Sequence, residues 1–160
     1  MKNTHTKILV HHSADASTAD QVNKIDDWHK HREFPLSSLG FYVGYHYVIN
    51  HEGKVTQTRR DDEEGAHCRG MNFESIGICL EGNFENSEPT QAQKMALGSL
   101  LARLCATYNL NVTDIYPHRA FGTTSCYGGN LDDNFARVLF LDYKVHDLTK
   151  TPSCESSSLK

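Results

Sequence analysis

The order in which short apolar runs alternate with longer amphipathic stretches constrains this chain most. "KILVHHS" (7–13) is aliphatic and β-branched, and reads as a buried strand. In the stretch after it, Thr18 and Gln21 have capping-box spacing, and Val22, Ile25 and Trp28 recur at helical intervals. A helix is therefore expected over 19–33, with Trp28 in the core and His29 and His31 solvated. "YHYVINHEGKVTQTRR" (45–60) reads as a hairpin turning at Gly53, and "SIGICLEG" (75–82) as a strand apolar enough to be central. Thr90 and Gln93 form a second capping box, ahead of a long helix carrying Leu97, Leu100, Leu101 and Leu104. "DIYPH" is a short strand, and "NLDDNFARVLFLDY" (130–143) a last helix with Asn130 as its cap. The order β-α-β-β-β-α-β-α implies an α/β fold: one mixed sheet flanked by about three helices.

A length of 160 residues suits one domain and can bury a core without disulfide staples. That domain is expected over 1–146, followed by a Ser-rich tail over 147–160 that lacks periodicity and reads as disordered. A formal charge of −4 argues against nucleic acid as a partner. No run of 18 apolar residues offers a membrane span, and "MKNTHTKILV" lacks the apolar core of a signal peptide. Five cysteines with no CxxC point to a reduced compartment rather than a disulfide framework.

The ten histidines raise the question of a metal. In "HRAFGTTSC" (118–126) His118 and Cys126 stand eight positions apart in one loop. A catalytic zinc site takes three protein ligands and keeps one position open. The third ligand is sought at a neighbouring strand end, where "VHHS" offers His11 and His12. Side chains alternate along a strand, so only one of the two can face a given site. The spacing alone is weak evidence for a metal, and a polar loop around a buried thiol is the plainer reading of it.

Four motifs then occur in order: "LVHHS" (9–13), "VGYHYVINHEGKV" (43–55), "GAHCRGMNFESIGICLEG" (65–82) and "PHRAFGTTSC" (117–126). With them the chain resembles the zinc-dependent N-acetylmuramoyl-L-alanine amidases, a family that includes phage endolysins and animal peptidoglycan recognition proteins. The resemblance spans residues 7 to about 143. It implies one zinc ion held by His11, His118 and Cys126, with Tyr45 and Thr124 catalytic. It also implies His67 and Asn72 in the glycopeptide groove, with His46 beside them. The implied substrate is peptidoglycan, cut between N-acetylmuramic acid and the L-alanine of the stem peptide. The implied setting is a monomer without stable membrane association, made in the cytoplasm and acting on the cell wall after release. His46, His67, Glu81 or a water are open as proton donors to the leaving amine. A non-catalytic binding module and a muropeptide-recycling amidase are the alternatives. Binders of this kind usually lack a ligand, most often the cysteine, and the recycling branch typically carries aspartate at the Cys126 position. One departure is plain: many members follow the cysteine with Pro-Gly, whereas this chain has Tyr127-Gly128-Gly129.

Overall fold

A computed structural model describes residues 5–150. Strand β1 (Lys7–His12), helix α1 (Val22–His31), strands β2 (Tyr47–Ile49), β3 (Val55–Gln57) and β4 (Ser75–Leu80), helix α2 (Gln91–Tyr108), strand β5 (Ile115–Pro117) and helix α3 (Phe135–Thr149) follow in that order. The five strands form one sheet in the order β3-β2-β4-β1-β5. β1 runs parallel to β4 and β5, β4 parallel to β2, and β3 is the antiparallel edge. Helices cover both faces, which is what a largely parallel sheet requires. The expected mixed sheet with three helices is therefore the fold.

Two-residue alternation sorts the side chains between the faces. Ile8 and Val10 of β1, with Ile76, Ile78 and Leu80 of β4, pack under Leu97, Leu101 and Leu104 of α2 and Phe140 of α3. Fully buried side chains of this size each contribute roughly 1.5–3 kcal/mol. The opposite face is a smaller cluster in which Val22 and Ile25 of α1 meet Val43, Val48 and Cys79, with Tyr45 packed against them. This face also carries His11, Gly77 and Tyr45. The thinner layer is therefore the one in which a cleft can open.

Helix α2 begins as its capping box predicts. Thr90 Oγ1 accepts the Gln93 amide at 3.1 Å, and Gln93 Oε1 accepts the Thr90 amide at 3.0 Å. The hairpin turn also holds: Gly53 has φ +82°, and a Cβ there would lie 2.7 Å from the Ala92 carbonyl oxygen.

Helix α1 corrects the expected capping. It starts at Val22 rather than residue 19, and Thr18 makes no cap. The Gln21 side-chain amide is instead drawn to the carbonyls of Asp15 and Ser17. Glu81, from the far end of β4, accepts the Gln21 backbone N–H at 2.9 Å. Helix α3 likewise starts at Phe135 after Asn134, not at an Asn130 cap, because Asn130 Nδ2 donates to the Ser87 carbonyl. Helix α3 runs on to Thr149, past the expected domain boundary at 146. The rest of the expected tail, 151–160 with Cys154, lies outside the described residues. No helix among the described residues is long and apolar enough to cross a membrane.

Glu81 carries a pH signature. Its side chain is fully buried, and burial raises its pKa to about 7, with Asp20 and Asp15 adding to the rise. The folded state thus keeps a proton that the unfolded chain releases above its ordinary 4.5. Stability from this group falls as pH rises from about 4.5 to about 7. Glu81→Gln removes that dependence. Thermal melts should show the variant gaining several degrees on the wild type between pH 5 and pH 8. An unchanged gap would mean the Glu81 carboxyl titrates normally.

Candidate active site

Strand β1 ends with His11 facing the thin layer and His12 the other. His12 Nδ1 accepts the Phe84 amide, so His12 is a structural residue of the opposite side. His118 follows β5 directly, at the start of a 3-10 turn, and Cys126 closes the loop after it. Ligand atoms of His11, His118 and Cys126 all lie within 4.8 Å of one another.

The loop is built to hold that geometry. The Arg119 backbone N–H donates to the Cys126 carbonyl at 2.8 Å. Its guanidinium reaches the carbonyls of Gly128 and Leu131 and the Asp133 carboxylate. Tyr127, which stands where many family members have proline, is fully buried, and its hydroxyl donates to the Asp132 carbonyl at 2.7 Å. Gly128 has φ +107°, and a Cβ on it would come within 2.4 Å of the Phe84 backbone. The turn therefore tolerates tyrosine in place of proline but requires the glycine after it.

Electrostatics suit neutral nitrogen ligands. Burial lowers the His11 pKa well below its ordinary value, with His67 and His118 adding to the effect, and burial also lowers His118. Burial pushes the Cys126 thiol up to about 12, while the His12 backbone N–H, 3.3 Å from its sulfur, pulls the other way. Metal binding would have to displace that thiol proton. Two imidazoles and one thiol are a donor set that fits zinc. No fourth His, Cys, Asp or Glu joins the cluster among the described residues, so the set resembles catalytic rather than structural sites.

The three residues sit in a cleft of about 410 Å³ that is also lined by Trp28, His29, Arg32, Tyr45, His67 and Asn72. Tyr45 stands with its ring centroid 5.0 Å from that of His11. Burial raises its phenol pKa well above the ordinary value, so it keeps its proton. Asn72 Oδ1 accepts the amides of His67 and Cys68 and so shapes the loop beneath the cleft. His67 reaches the cleft, but its Nδ1 lies 2.9 Å from His11 Nε2.

Two expected site residues are not among those lining this cleft. His46 stands behind His67, outside the cleft lining. It accepts the Gly77 amide at Nδ1 and meets the Glu63 carbonyl at Nε2. Thr124 is exposed and outside the cleft, and its hydroxyl accepts the Cys126 amide. Glu81, one of the open proton donors, is buried at the start of α1 and does not line the cleft.

Sequence reasoning missed the α1 wall. Trp28, expected in the core, is 57% exposed, and His29, expected to be solvated, is buried. The Gly44 amide donates to His29 Nδ1 at 2.9 Å. The signal was present: Val22, Ile25 and His29 continue one helical stripe as well as Val22, Ile25 and Trp28 do. Arg32 stacks over Trp28 and Phe34 at 4.9 and 5.2 Å, forming a cationic and aromatic rim.

A family model described as N-acetylmuramoyl-L-alanine amidase matches residues 1–129. An endolysin of Klebsiella phage KP32 is 38% identical over 109 residues, which are 64% of this chain and 68% of that protein. Peptidoglycan-recognition protein SC2 of Drosophila melanogaster is 30% identical over 125 residues, 77% of this chain and 68% of that protein. Among solved structures, the N-acetylmuramoyl-L-alanine amidase LysC of Clostridium intestinale superposes with a TM-score of 0.71 at 30% identity, covering 92% of this chain and 87% of that one. On the sequence match across most of its length, and with the fold in agreement, the chain belongs to the N-acetylmuramoyl-L-alanine amidase family and is an amide hydrolase of that kind.

Proposed function

We propose that the protein is a zinc-dependent peptidoglycan amidase of the phage-endolysin type. It cuts the amide between the lactyl group of N-acetylmuramic acid and the L-alanine of the stem peptide. The observation that carries this reading is the convergence of His11, His118 and Cys126 within 4.8 Å, in a cleft shared with Tyr45. Zinc bound by those three residues would polarise the scissile carbonyl and bring the pKa of a water towards ~7.

The chain's own groups do the rest. Tyr45, with its proton held on the phenol oxygen, donates a hydrogen bond to the carbonyl oxygen as negative charge develops there. His29 accepts at Nδ1 from Gly44, so its neutral ring carries the proton at Nε2 and serves as a donor in the cleft wall. Burial holds the pKa of His29 down to about 4, which keeps the ring neutral at working pH. Arg32 and Arg69 line the cleft and no acidic residue does among the described residues, which suits the carboxylates of a stem peptide. Thr124 acts through the Cys126 turn rather than on the substrate, and His46 supports His67 from behind. In this reading the enzyme works as a monomer with no nucleic-acid or membrane partner. It reaches the wall after release from the cytoplasm of the producing cell.

Digestion of purified peptidoglycan with and without a zinc chelator, read by mass spectrometry, tests this. Stem peptides with a free N-terminal L-alanine should appear, together with glycan strands bare of peptide. Chelator should stop the release, and added zinc should restore it. Cleavage that persists in chelator would overturn the metal dependence. Uncut peptidoglycan that retains the protein would replace the enzyme with a binding module.

A further inference from the structure

His67 occupies a slot made by two missing side chains. A Cβ on Gly65 would fall 2.5 Å from its ring, and one on Gly77 of β4 would fall 2.6 Å from it. Both ring nitrogens are committed inside the protein. Nδ1 lies 2.9 Å from His11 Nε2, and Nε2 lies 3.4 Å from Ser75 Oγ. Ser75 Oγ is 2.6 Å from the Met71 carbonyl oxygen.

The direction of this chain of hydrogen bonds follows from its last member. A carbonyl only accepts, so the Ser75 hydroxyl donates to Met71. Its oxygen is then free to accept the His67 Nε2–H. Both rings are buried and no carboxylate is hydrogen-bonded to either among the described residues, so each is neutral and carries one N–H. His67 therefore accepts at Nδ1, and the proton between the two rings belongs to His11 Nε2. That leaves the lone pair of His11 on Nδ1. A metal-binding histidine needs one nitrogen unprotonated, and the partner of its other nitrogen decides which one that is.

We propose that Ser75 and His67 are positioning residues that lock His11 in its Nε2–H tautomer and thereby set the affinity of the His11/His118/Cys126 site for zinc. This rests on the metal-site reading given above. It also gives His67 a role other than substrate binding, since neither of its nitrogens is left for a ligand in the cleft.

Two measurements test it. Zinc affinity is read by competition with a chromophoric chelator for the wild type and for Ser75→Ala, His67→Phe and His67→Asn. Loss of an outer partner of a metal-binding histidine typically costs 10–100-fold in metal affinity. Ser75→Ala and His67→Phe should show a loss of about that size, and His67→Asn, which restores an acceptor near the Nδ1 position, should recover part of it. Nitrogen-15 NMR of the histidine rings in zinc-free protein is the second readout. The wild type should show His11 protonated at Nε2 alone, and Ser75→Ala should show a mixture of tautomers. A packing role for His67 would move neither the tautomer nor the His67→Asn recovery. Ser75→Ala is a small change that keeps the proposal testable where His67→Phe fails to fold. Wild-type affinity in both Ser75→Ala and His67→Phe, or a wild-type His11 protonated at Nδ1, would overturn the proposal and leave the metal site standing. Wild-type protein that takes up no zinc would overturn the metal site itself, and the proposal with it.

Discussion

Replacing Cys126 with alanine should leave a folded protein that neither retains zinc nor turns over substrate. The main core between the sheet and helices α2 and α3 is built of Ile8, Ile76, Ile78, Leu97, Leu101 and Phe140, and Cys126 only borders it. The local cost is the His12 amide, which loses its sulfur partner at 3.3 Å. An unpaired buried amide costs roughly 1–3 kcal/mol. Arg119 and Tyr127 still hold the turn through bonds that do not involve the thiol. The proposed zinc site would suffer far more, because only His11 and His118 remain. A Lewis acid supplies several kcal/mol of transition-state stabilisation. Its loss should lower kcat/KM by at least about 10³-fold. Elemental analysis should find zinc in the wild type and none in the variant, with matching far-UV spectra. Cys105→Ala, in α2 on the far side of the sheet, is the control for thiol removal as such and should keep both zinc and activity. Wild-type activity in Cys126→Ala would mean that Cys126 is not a ligand.

The parts of this site that could be read from the chain were those set by local geometry. Alternation along β1 required His11 and His12 to face opposite ways, and they do: His11 joins the cleft while His12 binds the Phe84 amide. The Thr90–Gln93 box was legible because both of its bonds lie within four residues. The Thr18–Gln21 spacing looked the same and failed for a reason no local pattern holds. The N–H that needed a cap is taken by Glu81, sixty positions away, and the Gln21 side chain is spent on the Asp15 and Ser17 carbonyls. The exchange of Trp28 and His29 is of the same kind. On a short helix both positions extend the Val22–Ile25 stripe. The Gly44 amide decides between them, by offering buried His29 a partner that indole cannot use. His67 does line the cleft, but what holds it there could not be read from the chain. Its partners Ser75 and His11 come from two strands, and the slot for its ring depends on Gly77, whose purpose is invisible until the strands are paired.

The second large effect should come from Tyr45→Phe. The aromatic ring would keep its contacts with His11 and His29, whose centroids lie 5.0 and 5.5 Å away, so the substitution removes one oxygen and little else. None of the three residues that would hold zinc is touched, and zinc content should be unchanged. In the proposed mechanism, what disappears is a hydrogen-bond donor to charge that exists only in the transition state. Loss of one such donor typically costs about 10²–10³-fold in kcat, or ~3–4 kcal/mol. KM should change little, because the ground-state carbonyl attracts the phenol only weakly. The pH profile separates this role from an acid–base one. Burial holds the Tyr45 pKa well above its ordinary value, so the phenol stays protonated through neutral and mildly alkaline pH. Any alkaline fall in wild-type activity below that range therefore belongs to another group and should persist in the variant with the same midpoint. A variant with full kcat would remove Tyr45 from the chemistry. One whose alkaline limb vanished would make Tyr45 a titrating acid instead of a fixed donor.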